Sequence, residues 1–551
     1  MKLMKKKTVV LTLLTSCAGL LASCGGTGTT CTNRENASFV DVEKITPVEP
    51  TEKTTIKWWN NYQVPKEDSS ETESRKDSTY REYWYAKDLI SAFTKDHPNI
   101  NVEMSYQGSY SEIVTNTSKA LATGDQPNIV SCYGDSVAVF RKANENAVLN
   151  MTGYAKNLIE DKDFNQNYLD IEKGMYTTGF YSLPYSKSAE TLVVNQTIFD
   201  KVGEGKAGTD TEKDVKDNSG NVTGKAAVYT APVAAATKKA YTIPENIYEL
   251  ADLARTIKTD FPELYKNQKD KDGYFTAIPF CWDSAENMFI SALQNSGIAY
   301  TDGLKSTAAC RVLFKNEDAK KLMIQLKKWN NEGLICTQNQ LPITNAAKRN
   351  HQFSSNMVVA GSIAMAMSST AGARYFATDG GFKATFHHAL SWQENGKAKD
   401  AKVISQGPSL CFFDKGKAQN DASFIFYQYL TNAENGGELA ANTSYFPLRE
   451  KGYNNAKITA ALAASETGAT AEAKYGVKNS TYTGDVLNLN KTYTSEGAYF
   501  LSPVFEESSA TRTAVGKLVA EVFDNKDATT DETIKAAVET AFNNAYTSVL
   551  K

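Results

Sequence analysis

At 551 residues the chain is too long for one compact core and suits two or three domains. Its 41% apolar and 11% aromatic content is that of an ordinary globular protein. A formal net charge of −3 gives no electrostatic reason to bind nucleic acid, so that class of partner is set aside.

The N-terminus is the sharpest local signal. Met1 to Lys7 is basic, and an apolar stretch runs from Val9 to Ala22. Residues 1–23 therefore read as a secretory signal, too short for a membrane span. The stretch ends in Leu21-Ala22-Ser23-Cys24, which resembles a bacterial lipobox. Small residues admit the signal peptidase, and the Cys24 thiol takes the lipid. A plain signal peptide with a chance cysteine is the competing reading. The expected location is the extracellular face of the bacterial cell membrane, anchored at Cys24. Residues 24–53 are rich in Thr, Gly, Glu and Pro, and are expected to form a flexible tether. Beyond Cys17 and Cys24, the remaining cysteines (Cys31, Cys132, Cys281, Cys310, Cys336, Cys411) show no C-x-x-C spacing. That pattern is neither a zinc site nor a dense disulfide framework, and pairing among them stays open.

Along the body, Thr54 to Trp59 is β-prone and the polar residues 64–80 read as an inserted loop. Tyr83, Ala86, Leu89, Ile90 and Phe93 have helical spacing, and Pro98 stops that helix. Ile100 to Tyr106 alternates like a strand, a helix spans about 110–122, and Ile129 to Tyr133 is the next strand. This strand–helix alternation predicts a parallel α/β sheet. It resumes at Thr191 to Val194, and residues 203–240 interrupt it as a surface insertion. Asn246 with Glu249 opens a helix to about 258, further helices hold Leu326–Trp329 and Phe424–Leu430, and the tail from Asp531 is helical.

An ordered set of segments over about 54–550 resembles the extracellular solute-binding proteins of the family 1, maltose-binding-like type. These are Phe93 with Pro98-Asn99-Ile100 and Val102; Gly124-Asp125-Gln126-Pro127; Leu183-Pro184-Tyr185 through Asn195; Gly361 to Met365; and Thr443 to Leu448. Tyr106 to Tyr110, Gly407 to Leu410 and Tyr445 are similar to the glycerol-3-phosphate binders within that family. The resemblance implies a two-lobed, periplasmic-binding-protein-like fold of type II, with ligand in the cleft and three hinge crossings near Tyr185, Ser405 and Pro447. One lobe would comprise 54–186 plus 405–447, and the other 187–404 plus 448–551. It also implies a small carbohydrate or polyol ligand, the transmembrane subunits of an ABC permease as partner, and a chain that acts as a monomer. No cofactor, metal or catalytic activity is expected. The rival classes are a secreted glycan hydrolase and a surface adhesin that has kept the fold.

Carried over residue by residue, the resemblance places Tyr110, Ser188, Trp282, Ser369, Gly407 and Tyr445 on the ligand. Such a receptor needs flat apolar faces and fixed polar groups, and Tyr and Trp supply both. Bland readings stand beside each: a surface tyrosine for Tyr110, a turn hydroxyl for Ser188, core packing for Trp282, a conformational role for Gly407. Trp392 reads as exposed between Ser391 and Gln393, and Asp135 as a helix cap. The stretch Leu501 to Ser508 holds no counterpart of the arginine that faces phosphate in the relatives, and Arg512 reads as lying elsewhere.

Overall fold

The computed structural model describes residues 31–33, 39–175, 178–204, 212–216, 222–227, 240–345, 350–376, 383–467 and 480–551. In Thr54–Asn60 (β1) alternation buries Ile56 and Trp58 while Thr55 and Lys57 face out, the pattern of a strand in a covered sheet. Ile100–Tyr106 (β2) and Ile129–Cys132 (β3) lie parallel to it on either side. Between β1 and β2 the helix Arg81–Asp96 buries Ala86, Leu89 and Phe93 and stops before Pro98. Between β2 and β3 the helix Tyr110–Thr123 opens with a capping box of Ser109 and Glu112 and closes on Gly124 at φ +80°.

Ser182–Pro184 (β4) completes the first lobe's outbound path. The second lobe is built on Glu190–Asn195 (β5), Ile278–Trp282 (β6), Ile335–Thr337 (β7), Ile363–Ser369 (β8) and Ala384–His387 (β9). Ser409–Phe412 (β10) returns to the first lobe. The two five-stranded sheets have the orders β2-β1-β3-β10-β4 and β9-β5-β8-β6-β7. In the first sheet β1, β2 and β3 are parallel; in the second β6, β7 and β8 are. The architecture is therefore the expected two-lobed α/β fold.

The chain passes between the lobes where Ser186–Ser188, Gln406–Pro408 and Phe446 lie side by side. Ser188 and Gln406 exchange backbone hydrogen bonds of 3.0 and 2.8 Å, Ser186 N donates to Pro408 O at 3.1 Å, and Phe446 N donates to Lys187 O at 2.8 Å. Gly407 has φ +87°, and a Cβ there would stand 1.8 Å from Ser186 O, so only glycine permits this approach. Lys187 is fully buried at the crossing. Its Nζ donates to Glu172 Oε1 at 3.0 Å and to Ser409 Oγ at 2.7 Å, while Ser182 Oγ donates to Glu172 Oε2 at 2.6 Å.

Several expectations are corrected. The tether is anchored over its described part: Ile45 N donates to Gly153 O, Asp41 pairs with Lys156, and Phe39 meets Phe180 edge-on. Residues 64–80 are not a free loop. They contain the helical turn Glu71–Ser74, and Arg75 forks onto Asp88 and lies over the Trp84 ring. The second stretch of the second lobe, expected at 448–551, starts later than 448. Glu450 N donates to Asp163 O, and the helix Ala456–Thr467 packs on Ala433–Thr443 of the first lobe; the helix Ser480–Glu496 is the one that reaches β9. Cys31 and Cys310 form a disulfide, whereas Cys132, Cys281, Cys336 and Cys411 are free and buried. The expected 203–240 insertion falls mostly outside the described residues, and Glu212–Lys216 and Val222–Ala227 form an antiparallel pair within it.

Removing one member of a buried ion pair strands the other charge, at a cost of about 3–5 kcal/mol. Lys187→Met should lower the unfolding free energy in urea by that amount, and adding Glu172→Gln should recover most of it. A loss below about 1 kcal/mol for the single variant would show that the pair does not hold the crossing.

Candidate functional site

In both sheets the parallel strands aim their carboxyl ends at the gap between the lobes, where open α/β sheets bind ligands. The segments after β1, β2, β3, β6 and β8 supply Asn61 and Tyr62, Tyr110, Tyr133 to Asp135, Ser284 to Asn287, and Arg374 with Tyr375. Two cavities result, of about 340 and 280 Å³. The paired crossing segments contribute to both: Lys187 and Gly407 line the larger, Ser186 and Pro408 the smaller. Tyr110 of the smaller and Tyr133 of the larger have ring centroids 4.5 Å apart, so the cavities are neighbours.

The smaller cavity is walled by tyrosines. Tyr62 OH and Tyr185 OH are 3.0 Å apart, and both rings stand edge-on to the buried Trp58, which fixes their direction. Burial raises Tyr110 and Tyr445 well above the ordinary phenol range, so both keep their O–H proton as a donor. From the second lobe, Arg374 reaches across and donates to Glu82 Oε1 of the first at 3.0 Å, tying the banks together. In the larger cavity, Asp135 of the first lobe faces Glu286, Asn287, Tyr300 and Arg512 of the second. Arg512 donates to Asn287 Oδ1 and lies 3.9 Å from Glu286. Burial raises the Asp135 carboxyl, and Arg512 opposes that rise.

Of the residues named from sequence, Tyr110 and Tyr445 share the smaller cavity, and Gly407 lines the larger. Ser188 and Ser369 meet at the crossing, their hydroxyl oxygens 3.4 Å apart, outside both linings. Trp282 also lies outside them: it is buried, and its Nε1 donates to Glu190 Oε1 at 2.8 Å. Trp392 is buried rather than exposed, its ring 5.6 Å from that of Trp282. Asp135 is the second residue of the helix Gly134–Ala143 rather than its cap, and the cap residue Tyr133 makes no side-chain capping bond. Arg512, set aside on sequence, lines the larger cavity because the helix Ser508–Asp524 packs across the gap against Gly134–Ala143. Cys24 lies outside the described residues.

Sequence reasoning missed Glu82, Arg374 and Glu190. A carboxylate opening the apolar strand Glu190–Asn195 was a readable signal for the last. Nothing in the pattern around Arg374 points across a cleft. Among the described residues no cluster of three or more His, Cys, Asp or Glu side chains could hold a metal, and no helix is long and apolar enough to cross a membrane.

Residues 88–466 match the family described as bacterial extracellular solute-binding protein. No curated protein matches the chain. Among solved structures, the maltose-bound MalE3 of T. maritima is similar with TM-score 0.56 and 12% identity, covering 89% of this chain and 98% of its own. The ABC substrate-binding protein Lmo0181 of Listeria monocytogenes, in complex with cycloalternan, has TM-score 0.55 and 14% identity over 90% and 98%. UgpB of Mycobacterium tuberculosis, in complex with glycerophosphocholine, has 0.54 and 13% over 89% and 99%. At these identities the likeness is one of fold.

Glu190 sits behind this site, accepting also from Ser291 Oγ at 3.2 Å. Burial lifts its carboxyl from 4.5 to about 7, and bonds from Trp282, Asn287 and Ser291 with the charge of Arg512 oppose that only in part. The folded protein thus keeps a proton that the unfolded chain releases. Its stabilising effect is full below pH 4.5 and is lost as pH rises through about 7, a change of roughly 3 kcal/mol. Glu190→Gln cannot ionise. Across that window the melting temperature of the native protein should therefore fall relative to the variant's, and a constant difference would contradict the assignment.

Proposed function

The chain belongs to the bacterial extracellular solute-binding proteins, and from that premise we propose that it is the lipid-anchored receptor of an ABC importer. It captures a sugar, oligosaccharide or related polyol by closing its lobes, and presents the closed form to the permease. The observation that carries this reading is the position of both cavities between the lobes, astride the crossing segments. A solute there touches both banks at once. Only contacts that differ between open and closed forms can shift a hinge equilibrium, and contacts made by both lobes do so.

The lining supports a neutral polyhydroxylated guest. Tyrosine faces cover C–H surface and their hydroxyls pair with ligand hydroxyls, which are costly to bury unpaired. The cationic side chains are already matched: Arg374 with Glu82, Arg512 with Glu286, Lys187 with Glu172. A phosphate dianion would compete with those carboxylates for its partner. Binding proceeds without turnover, and Cys24 carries the membrane anchor.

A thermal-shift screen of sugars, polyols and their phosphates should find a neutral solute that raises the melting temperature. Calorimetry on that solute should show Tyr445→Ala weakening binding by about tenfold or more, near 1.4 kcal/mol, with the fold intact. No stabilising solute across the screen, or unchanged affinity in the variant, would overturn the placement of the site.

A further inference from the structure

From the contacts of the N-terminal segment we infer that its two described stretches, 31–33 fastened to the second lobe and 39–50 fastened to the first, act through their chain connection as a strap that limits how far the cleft opens. One end belongs to the second lobe. Cys31 is bonded to Cys310, Ser306 N donates to Thr32 O at 3.0 Å, and Lys305 Nζ donates to Asn33 Oδ1 at 2.9 Å. The loop that receives it leads into Phe314, whose ring meets Phe289 edge-on and Phe542 at a tilt in the second lobe's core. The other end belongs to the first lobe. Val40 N donates to Thr178 O, Asp41 pairs with Lys156 at 2.8 Å, Ile45 N donates to Gly153 O, and Val48 N donates to Asp421 Oδ2.

The second-lobe anchor adjoins the larger cavity, and the first-lobe anchor connects to it through packed residues. Tyr300 and Thr301, at the start of the receiving loop, line it on one bank. On the other, Thr178 Oγ1 is 3.1 Å from Tyr181 OH, and Tyr181 packs with Val137 and Phe140 of the helix whose first turn, Gly134 and Asp135, lines the same cavity. Six Cα-to-Cα steps join Asn33 to Phe39, so the anchors can separate by at most roughly 20–22 Å, whatever the path between them. The end on the second lobe is covalent and cannot be shed by thermal motion. Widely open forms are thereby removed from the ligand-free ensemble. A larger share is left near the binding-competent geometry, which favours capture.

The test is small-angle scattering of the mature protein with no solute added. Cys31→Ser with Cys310→Ser should shift the ligand-free protein to a larger radius of gyration. A second variant keeps both cysteines and inserts about a dozen Gly and Ser residues between Asn33 and Phe39, a flexible extension that lengthens the strap without touching either anchor. It should expand in the same direction, and it decides the matter if the first variant fails to fold. Thiol alkylation of the denatured, unreduced native protein should label Cys132, Cys281, Cys336 and Cys411 and leave Cys31 and Cys310 unlabelled. Scattering identical to the native protein in both variants, or alkylation of Cys31 and Cys310, would overturn the inference.

Discussion

A chain that passes back and forth between two separate sheets must satisfy its backbone hydrogen bonds at each passage, where neither sheet can supply partners. Here the passages satisfy one another. Ser188 exchanges bonds with Gln406, Ser186 donates to Pro408, and Lys187 accepts from Phe446. The approach is so close that position 407 must be glycine. The pivot of the molecule thus also lines the cavities, with Lys187, Gln406 and Gly407 in the larger and Ser186 and Pro408 in the smaller. A buried lysine is tolerated there because Glu172 and Ser409 accept its bonds.

From that pivot the rest of the site follows. Parallel strands on both sides deliver their carboxyl ends to one gap, and each end brings a polar or aromatic side chain with it. The first lobe contributes mainly tyrosines, of which Tyr62 is held edge-on by the buried Trp58. The second contributes Arg374 and Arg512, each occupied by an acid or an amide. Shape and hydrogen bonding, more than net charge, are then the means by which this cleft discriminates among solutes.

The alternation of strand and helix made the fold legible, because periodicity and capping report local burial directly. Asn246 opened the helix Ile247–Asp260 as such a signal should, its side chain accepting from the Glu249 amide. The three crossing segments were legible only through likeness to a family, since no periodicity marks a hinge. Tyr110 and Tyr445 were named through the same likeness, with the position of Tyr110 just after a strand as added support. Arg374 and Arg512 could not be named, because each lies far in sequence from the residues it faces. Trp282 and Trp392 show the reverse difficulty: polar neighbours in the sequence said nothing of two rings that bury against each other beside Glu190. The strap was misread for the same reason, its low-complexity composition concealing a disulfide 279 residues away.

Amide hydrogen exchange with and without a stabilising solute tests the central claim most directly, since it reports protection segment by segment. Protection should appear together around Tyr110 and Tyr445 on one bank and around Glu286 or Arg374 on the other. Protection confined to a single lobe, or gathered at a surface away from the crossing segments, would contradict the account.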